Sequence, residues 1–154
     1  MRIRPYEATD ATLLAELLRR SVLELGPRHY THEQVRAWAS VLPGSERVHQ
    51  LAESRTTLVA VDENGQPVAY GDLEADGHLD FLYCAPRAAG TGVAGYVYEQ
   101  LERHARAVGV ARLFTEASEA ARGLFLRHGF LTITRRELVV AGVPIHNFAM
   151  EKLL

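Results

Sequence analysis

His78-Leu79-Asp80-Phe81-Leu82-Tyr83-Cys84-Ala85-Pro86-Arg87-Ala88-Ala89-Gly90-Thr91-Gly92-Val93-Ala94-Gly95 decides the reading of this chain. Its first seven residues read as a strand that ends near Pro86. Beyond the glycines, Val93, Val97, Leu101 and Ala105 recur at helical spacing until Gly109. A strand thus runs through a glycine-rich bend directly into a helix. Glycine admits positive φ and close approach of main chain to a ligand, and a helix N-terminus adds unpaired N–H donors and about half a positive charge. A phosphate suits such a turn, which points to a pyrophosphate-bearing cofactor; a plain tight turn is the competing reading. The bend has no Gly-Lys-Ser/Thr, which argues against a P-loop. It follows the third strand of a meander rather than opening a strand-helix-strand unit, which argues against a dinucleotide fold.

Outward from this bend the pattern is regular. Toward the N-terminus, Arg2-Ile3-Arg4 alternates before Pro5, and Leu13, Leu14, Leu17, Leu18 and Val22 form a helical stripe after Thr9-Asp10. Gly26-Pro27 ends that helix. Thr31-His32-Glu33-Gln34 has the form of a capping box ahead of Val35, Trp38, Ala39 and Leu42. After Pro43-Gly44-Ser45 and a poorly patterned stretch, Thr57 to Val61 and Pro67 to Leu73 flank the hairpin signal Asn64-Gly65. Asp76-Gly77 turns the chain into the strand that carries the glycine bend. Toward the C-terminus, a strand over Ala111–Glu116 completes a strand-helix-strand unit expected to be parallel. A helix over Ala120–His128 and a hairpin around Ala141-Gly142-Val143 follow. The expected fold is a mixed α/β domain, with a mostly antiparallel sheet of about seven strands and helices on both faces.

With 154 residues, 47% hydrophobic and 23% charged, the chain suits one domain over 1–154 with a single core. The formal net charge of -2, from 17 basic and 19 acidic residues, gives no general attraction to nucleic acid or an anionic membrane. One cysteine, Cys84, excludes an intramolecular disulfide and a cysteine-rich zinc cluster. The N-terminal residues lack a signal-peptide core and no apolar run is long enough to span a bilayer, so a cytoplasmic location is expected.

The bend Ala89-Gly90-Thr91-Gly92-Val93-Ala94 and the later Ala117-Ser118-Glu119-Ala120-Ala121-Arg122-Gly123-Leu124-Phe125-Leu126-Arg127-His128-Gly129-Phe130 resemble, in that order, the two signatures of the GNAT superfamily of acetyltransferases. Two departures stand out. Ala89 occupies the position of the usual Gln or Arg, with Arg87 two residues away as a substitute charge, and Phe125 occupies the position of a frequent tyrosine. The resemblance implies acetyl-CoA as cosubstrate, its pantetheine arm lying between splayed strands and paired with main chain as an added strand would be. Its contacts would come from Leu82, Tyr83, Cys84, Arg87, Ala89, Gly90, Thr91, Gly92, Val93, Ala94, Gly95, Ser118 and Phe125. The backbone of Leu82 to Cys84 would polarise the thioester carbonyl.

An amine must lose a proton before it attacks, so a base is required near the thioester. Asp80 is the first candidate, four residues before Cys84 and hence on the same face of a continuous strand. Glu116 and Glu74, at the ends of the flanking strands, are further candidates for base or substrate anchor. Tyr83 or water would protonate the thiolate in place of the tyrosine missing at Phe125. Tyr30, His32 and Trp38 belong to the helix-loop-helix region that in this family borders the acceptor pocket. Each of these residues also has a structural reading: Asp80 as a paired strand carboxylate, Trp38 as core, His128 as a helix C-cap and Cys84 as a buried thiol. His29 and His32 lack a third ligand of suitable spacing, so no metal is expected.

The expected function is direct transfer of acetyl from acetyl-CoA to a primary amine on a small molecule or peptide. The alternative is a non-catalytic acyl-CoA-binding regulatory module, favoured by Ala89 and Phe125. The terminal hairpin with Phe148 is a candidate homodimer contact.

Overall fold

The computed structural model describes residues 1–154. Strand β1 (Arg2–Pro5) is followed by helices α1 (Ala11–Leu25), α2 (His32–Ser40) and α3 (Ser45–Glu53). Strands β2 (Thr56–Val61), β3 (Pro67–Leu73), β4 (His78–Leu79) and β5 (Leu82–Cys84) form the meander. Helix α4 (Val93–Ala107), strand β6 (Arg112–Ala117), helix α5 (Glu119–Arg127) and strands β7 (Leu131–Val140) and β8 (Val143–Leu153) complete the chain.

The strands form two four-stranded sheets, ordered β1-β2-β3-β5 and β4-β6-β8-β7, in which β4–β6 is the one parallel pair. Period-two alternation gives the first sheet two apolar faces. Ala60 and Ala69 pack with α4, whereas Val59, Val61 and Tyr70 pack with α1. The expected mixed α/β fold with helices on both faces is therefore present.

The strand expected to run unbroken from His78 to Cys84 is instead two strands, which accounts for eight strands rather than about seven. Asp72 on β3 causes the break. Its Oδ1 accepts hydrogen bonds from the main-chain N–H groups of Asp80 (3.2 Å) and Phe81 (2.8 Å). Those donors can no longer join a ladder, so His78–Leu79 pairs with β6 and Leu82–Cys84 with β3. The same break removes the continuous alternation that had placed Asp80 and Cys84 on one face.

Two further differences have local causes. The stretch without recognised pattern contains α3, whose buried stripe is only Val48 and Ala52, too narrow for a periodic signal. Phe148 is buried against the core, with Arg122 stacked 4.3 Å above its ring, and so is not available to a partner. The exposed large apolar side chains of the terminal hairpin are Leu131, Ile133, Val139 and Leu153. Its turn uses Ala141 (φ 48°) and Gly142 (φ 80°), a positive-φ pair whose twist suits a two-residue hairpin.

Candidate active site

Strands β5 and β6 belong to different sheets, and a cavity of about 1000 Å³ lies between them. In the antiparallel β3–β5 pair, Asp72 N–H donates to Phe81 C=O and Ala85 N–H to Val68 C=O. The alternation makes Tyr83 the residue bonded to β3, so the N–H and C=O groups of Leu82 and Cys84 face the cleft. On the opposite wall, β6 runs beyond its parallel pairing at Thr115 and presents Glu116 and Ala117 to the same space.

The glycine bend opens into this cavity through Ala89, Gly90, Gly92, Val93, Ala94 and Gly95. The first α-helical hydrogen bond of α4 is Tyr96 N–H to Gly92 C=O at 3.0 Å, which leaves the N–H groups of Gly90, Gly92, Val93, Ala94 and Gly95 without an acceptor in the chain. Gly90 (φ 77°) and Gly92 (φ 84°) have open space where a Cβ would stand. An open cradle of convergent, unpaired donors at the start of a 15-residue helix fits a pyrophosphate. Two residues expected here are used otherwise. Arg87 is outside the cavity, paired with Asp62 at 3.0 Å, and Thr91 donates its hydroxyl to Ala88 C=O at 2.6 Å.

Of the three carboxylates proposed from sequence, Asp80 and Glu116 line the cavity and Glu74 does not. Asp80 Oδ2 is 2.7 Å from Arg55 Nη1, which also reaches Asp72 at 2.9 Å, while Arg55 Nη2 is 3.4 Å from Glu74. Asp80 is thus a paired strand carboxylate. Glu116 Oε1 lies 2.7 Å from His78 Nε2, and His78 Nδ1 hydrogen-bonds Glu74. Burial would push the imidazole down, but its bonds to Glu74 and Glu116 outweigh this and raise its pKa. His78 was not singled out in the sequence; its only signal was position four after Glu74 across the Asp76-Gly77 turn.

Tyr83 lines the cavity, and burial pushes its phenol well above the ordinary tyrosine range. Burial likewise raises the Cys84 thiol, which opposes a nucleophilic thiolate. Ser118 caps α5, its Oγ accepting from Ala121 N–H at 3.2 Å. Phe125 borders the cavity but is 2% exposed, edge-on to Tyr98 and Phe130 at ring separations of 5.9 and 4.9 Å. It contributes an apolar wall and no proton.

At the other end of the cavity, Tyr30 and Trp38 form an aromatic wall, their centroids 5.7 Å apart. The Thr31 capping box is formed, and His32 at the start of α2 is exposed and does not line the cavity. Tyr30 hydroxyl donates to His146 C=O at 2.9 Å and accepts from Glu119 N–H at 2.9 Å, while His146 Nε2 pairs with the Glu119 carboxylate. His146, Arg136 and Asn147 also line this end; the sequence reads Arg136, within Arg135-Arg136-Glu137, as solvated surface and carries no reading of the other two, whereas Arg136 is partly buried. They come from the terminal hairpin, where the only usable signal was the register that sets Arg136 opposite Asn147.

Comparison with known proteins places this geometry. The acetyltransferase (GNAT) domain family matches residues 27–152. The uncharacterized N-acetyltransferase YafP of Escherichia coli is 27% identical over 150 residues, covering 97% of this chain and 94% of its own. The crystal structure of a GCN5-related N-acetyltransferase from Rhodopseudomonas palustris superposes with a TM-score of 0.91 at 30% identity, over 99% of this chain and 95% of that one. At 17% identity, the PaiA N-acetyltransferase of Thermoplasma acidophilum, solved with coenzyme A, shares the fold with a TM-score of 0.79 over 99% and 98% of the two chains.

Proposed function

The chain belongs to the GNAT acetyltransferase family, and from that premise we propose how its residues divide the work of acetyl transfer. It is an acetyl-CoA-dependent N-acetyltransferase with acetyl-CoA as cosubstrate and an amine as acceptor. The observation that supports this assignment of residues is one cavity that joins the free N–H groups of the glycine bend, the cleft-facing main chain of Leu82 and Cys84, and the Glu116 carboxylate.

The N–H groups of Gly90, Gly92, Val93, Ala94 and Gly95 hold the pyrophosphate. The free edge of β5 pairs with the pantetheine arm, and Phe125 covers it. Acetyl-CoA supplies an activated acyl group. Glu116, oriented by His78, takes a proton from the acceptor ammonium. As the new N–C bond forms, the N–H groups of Leu82 and Cys84 donate to the thioester oxygen, where negative charge develops. The C–S bond then breaks, Tyr83 gives its proton to the departing thiolate, and the second proton shed by the new amide nitrogen restores the phenol that burial favours. Asp80, held by Arg55, stiffens the wall beside this site. Residues 1–154 act as a single catalytic domain. Its place of work is proposed to be the cytoplasm; no helix is long and apolar enough to cross a membrane.

Calorimetric titration with acetyl-CoA and CoA tests the cofactor end, with Gly92→Glu as the control that places bulk and charge in the cradle. Binding that is lost in the variant, followed by turnover of an amine, supports the proposal. Binding without turnover on any amine would favour the non-catalytic module, and no binding by the wild-type protein would overturn both.

A further inference from the structure

We propose that the acceptor amine carries a carboxylate and that Arg136 recognises it; this rests on the acetyltransferase reading and names the substrate class of the same site. Arg136 lies on β7 opposite Asn147 and on the same strand face as Leu138 and Val140. That face packs with Tyr30 and Val35 near α2, away from the glycine bend. Arg136 is therefore a cation placed in an otherwise apolar strip at the acceptor end of the cavity.

Its own chain leaves that charge unmatched. Three other partly buried cations meet a carboxylate, Arg4 with Asp10 at 2.8 Å, Arg55 with Asp72 at 2.9 Å and Lys152 with Glu102 at 2.8 Å, while Arg122 lies instead over the Phe148 ring. Arg136 has no carboxylate within ion-pair distance, and its one hydrogen bond is to the neutral side chain of Asn147 at 3.4 Å. The nearby carboxylates are committed, Glu137 to Arg135 and Glu119 to His146. A partly desolvated guanidinium without a counter-charge is costly unless a ligand supplies one, and its planar fork of donors matches a carboxylate in bidentate fashion. Arg28 lines the same end and also has no ion-pair partner in the chain.

The charges across the cavity are divided accordingly. Glu116 on β6 suits an incoming ammonium, while Arg136 lies two strands away on β7 of the same sheet and lines the cavity together with Arg28. Between them, Trp38 lies 5.7 Å from Tyr30 and 6.4 Å from Tyr83, an aromatic surface for the body of the acceptor. A free amino acid or a related amino carboxylic acid fits this order of charge, ring and charge. A protein N-terminus, whose α-carboxyl is an amide, does not.

Matched pairs that differ only by the carboxylate test this: tyrosine against tyramine, tryptophan against tryptamine, and phenylalanine against phenethylamine. The readout is kcat/KM at saturating acetyl-CoA for wild type, Arg136→Ala and Arg136→Gln, with acetyl-CoA titration to show that each variant is folded. The expected result is a preference of about tenfold or more for the carboxylate member in the wild type, as loss of a charge-assisted contact implies, collapsing toward unity in both variants. Equal or better use of the decarboxylated members, a preference that persists in the variants, or acetyl-CoA binding with no member acetylated would each overturn the proposal. Failure to bind acetyl-CoA at all would instead count against the acetyltransferase reading beneath it.

Discussion

His78 Nε2 lies 2.7 Å from Glu116 Oε1 while its Nδ1 bonds Glu74, so one imidazole connects a cavity carboxylate on β6 to the turn before β4. Glu116→Gln removes the proposed base and keeps the shape, and kcat/KM should fall by about 10²–10⁴ in steady-state kinetics. His78 has a raised pKa in the fold, so its stabilising contribution is fully present below its unfolded value near pH ~6.5 and is lost as pH rises through the folded value. The melting temperature of His78→Gln should therefore trail the wild type most at about pH 5–6 and converge with it at alkaline pH. A constant gap across that range would refute the linkage.

Tyr83→Phe deletes the proposed acid without changing ring volume. We expect kcat to fall by at least about tenfold with acetyl-CoA affinity retained. Burial keeps the phenol protonated, so Tyr83 contributes no alkaline limb below about pH 10, and wild type and variant should share the same profile there. A limb that vanishes in the variant would show that Tyr83 titrates during turnover.

Two glycines with similar backbones separate folding from binding. At Gly77 (φ 97°) an added Cβ would stand 2.0 Å from Arg112 C=O, so Gly77→Ala should cost about 4 kcal/mol or more, or fail to fold. At Gly92 (φ 84°) the Cβ meets nothing within 4 Å, so Gly92→Ala carries only the positive-φ cost of about 1–2 kcal/mol. Urea denaturation of the two variants measures the contrast; equal losses would contradict it.

Glu102 ties α4 to β8. Burial alone would raise its pKa, but hydrogen bonds from Lys152, Tyr98 and Arg106 bring it down to about 2. A depressed carboxylate stabilises above its unfolded pKa of about 4.3 and loses that effect as pH falls through the folded value. Glu102→Gln should thus melt below wild type at pH 7, with the difference shrinking from about pH 4 downward. Thermal melts across this window test the sign.

Local signals in the sequence were enough for Pro67–Leu73, the Thr31 capping box, the parallel pairing next to β6 and the glycine bend, because turn residues and periodicity mark them within a few positions. Features created by contacts distant in sequence were not legible. The break at Asp80–Phe81 is made by Asp72, on a neighbouring strand, and an alternation rule applied to the segment alone predicts continuity. The pairing of His146 with Glu119 spans 27 residues between a hairpin and a helix start, with no spacing to announce it. Arg87 illustrates the reverse case: proximity in sequence suggested a phosphate contact, but the chain turns it toward Asp62.

Asp72 has a kinetic consequence as well. By occupying the N–H groups of Asp80 and Phe81, it prevents the two sheets from zipping into one, so the wedge between β5 and β6 exists before any ligand arrives. The ordering entropy of that opening is met during folding, and a thioester-bearing chain docks on an edge already bared. Such a protein should associate in a single, concentration-limited phase, without a slow rearrangement preceding capture.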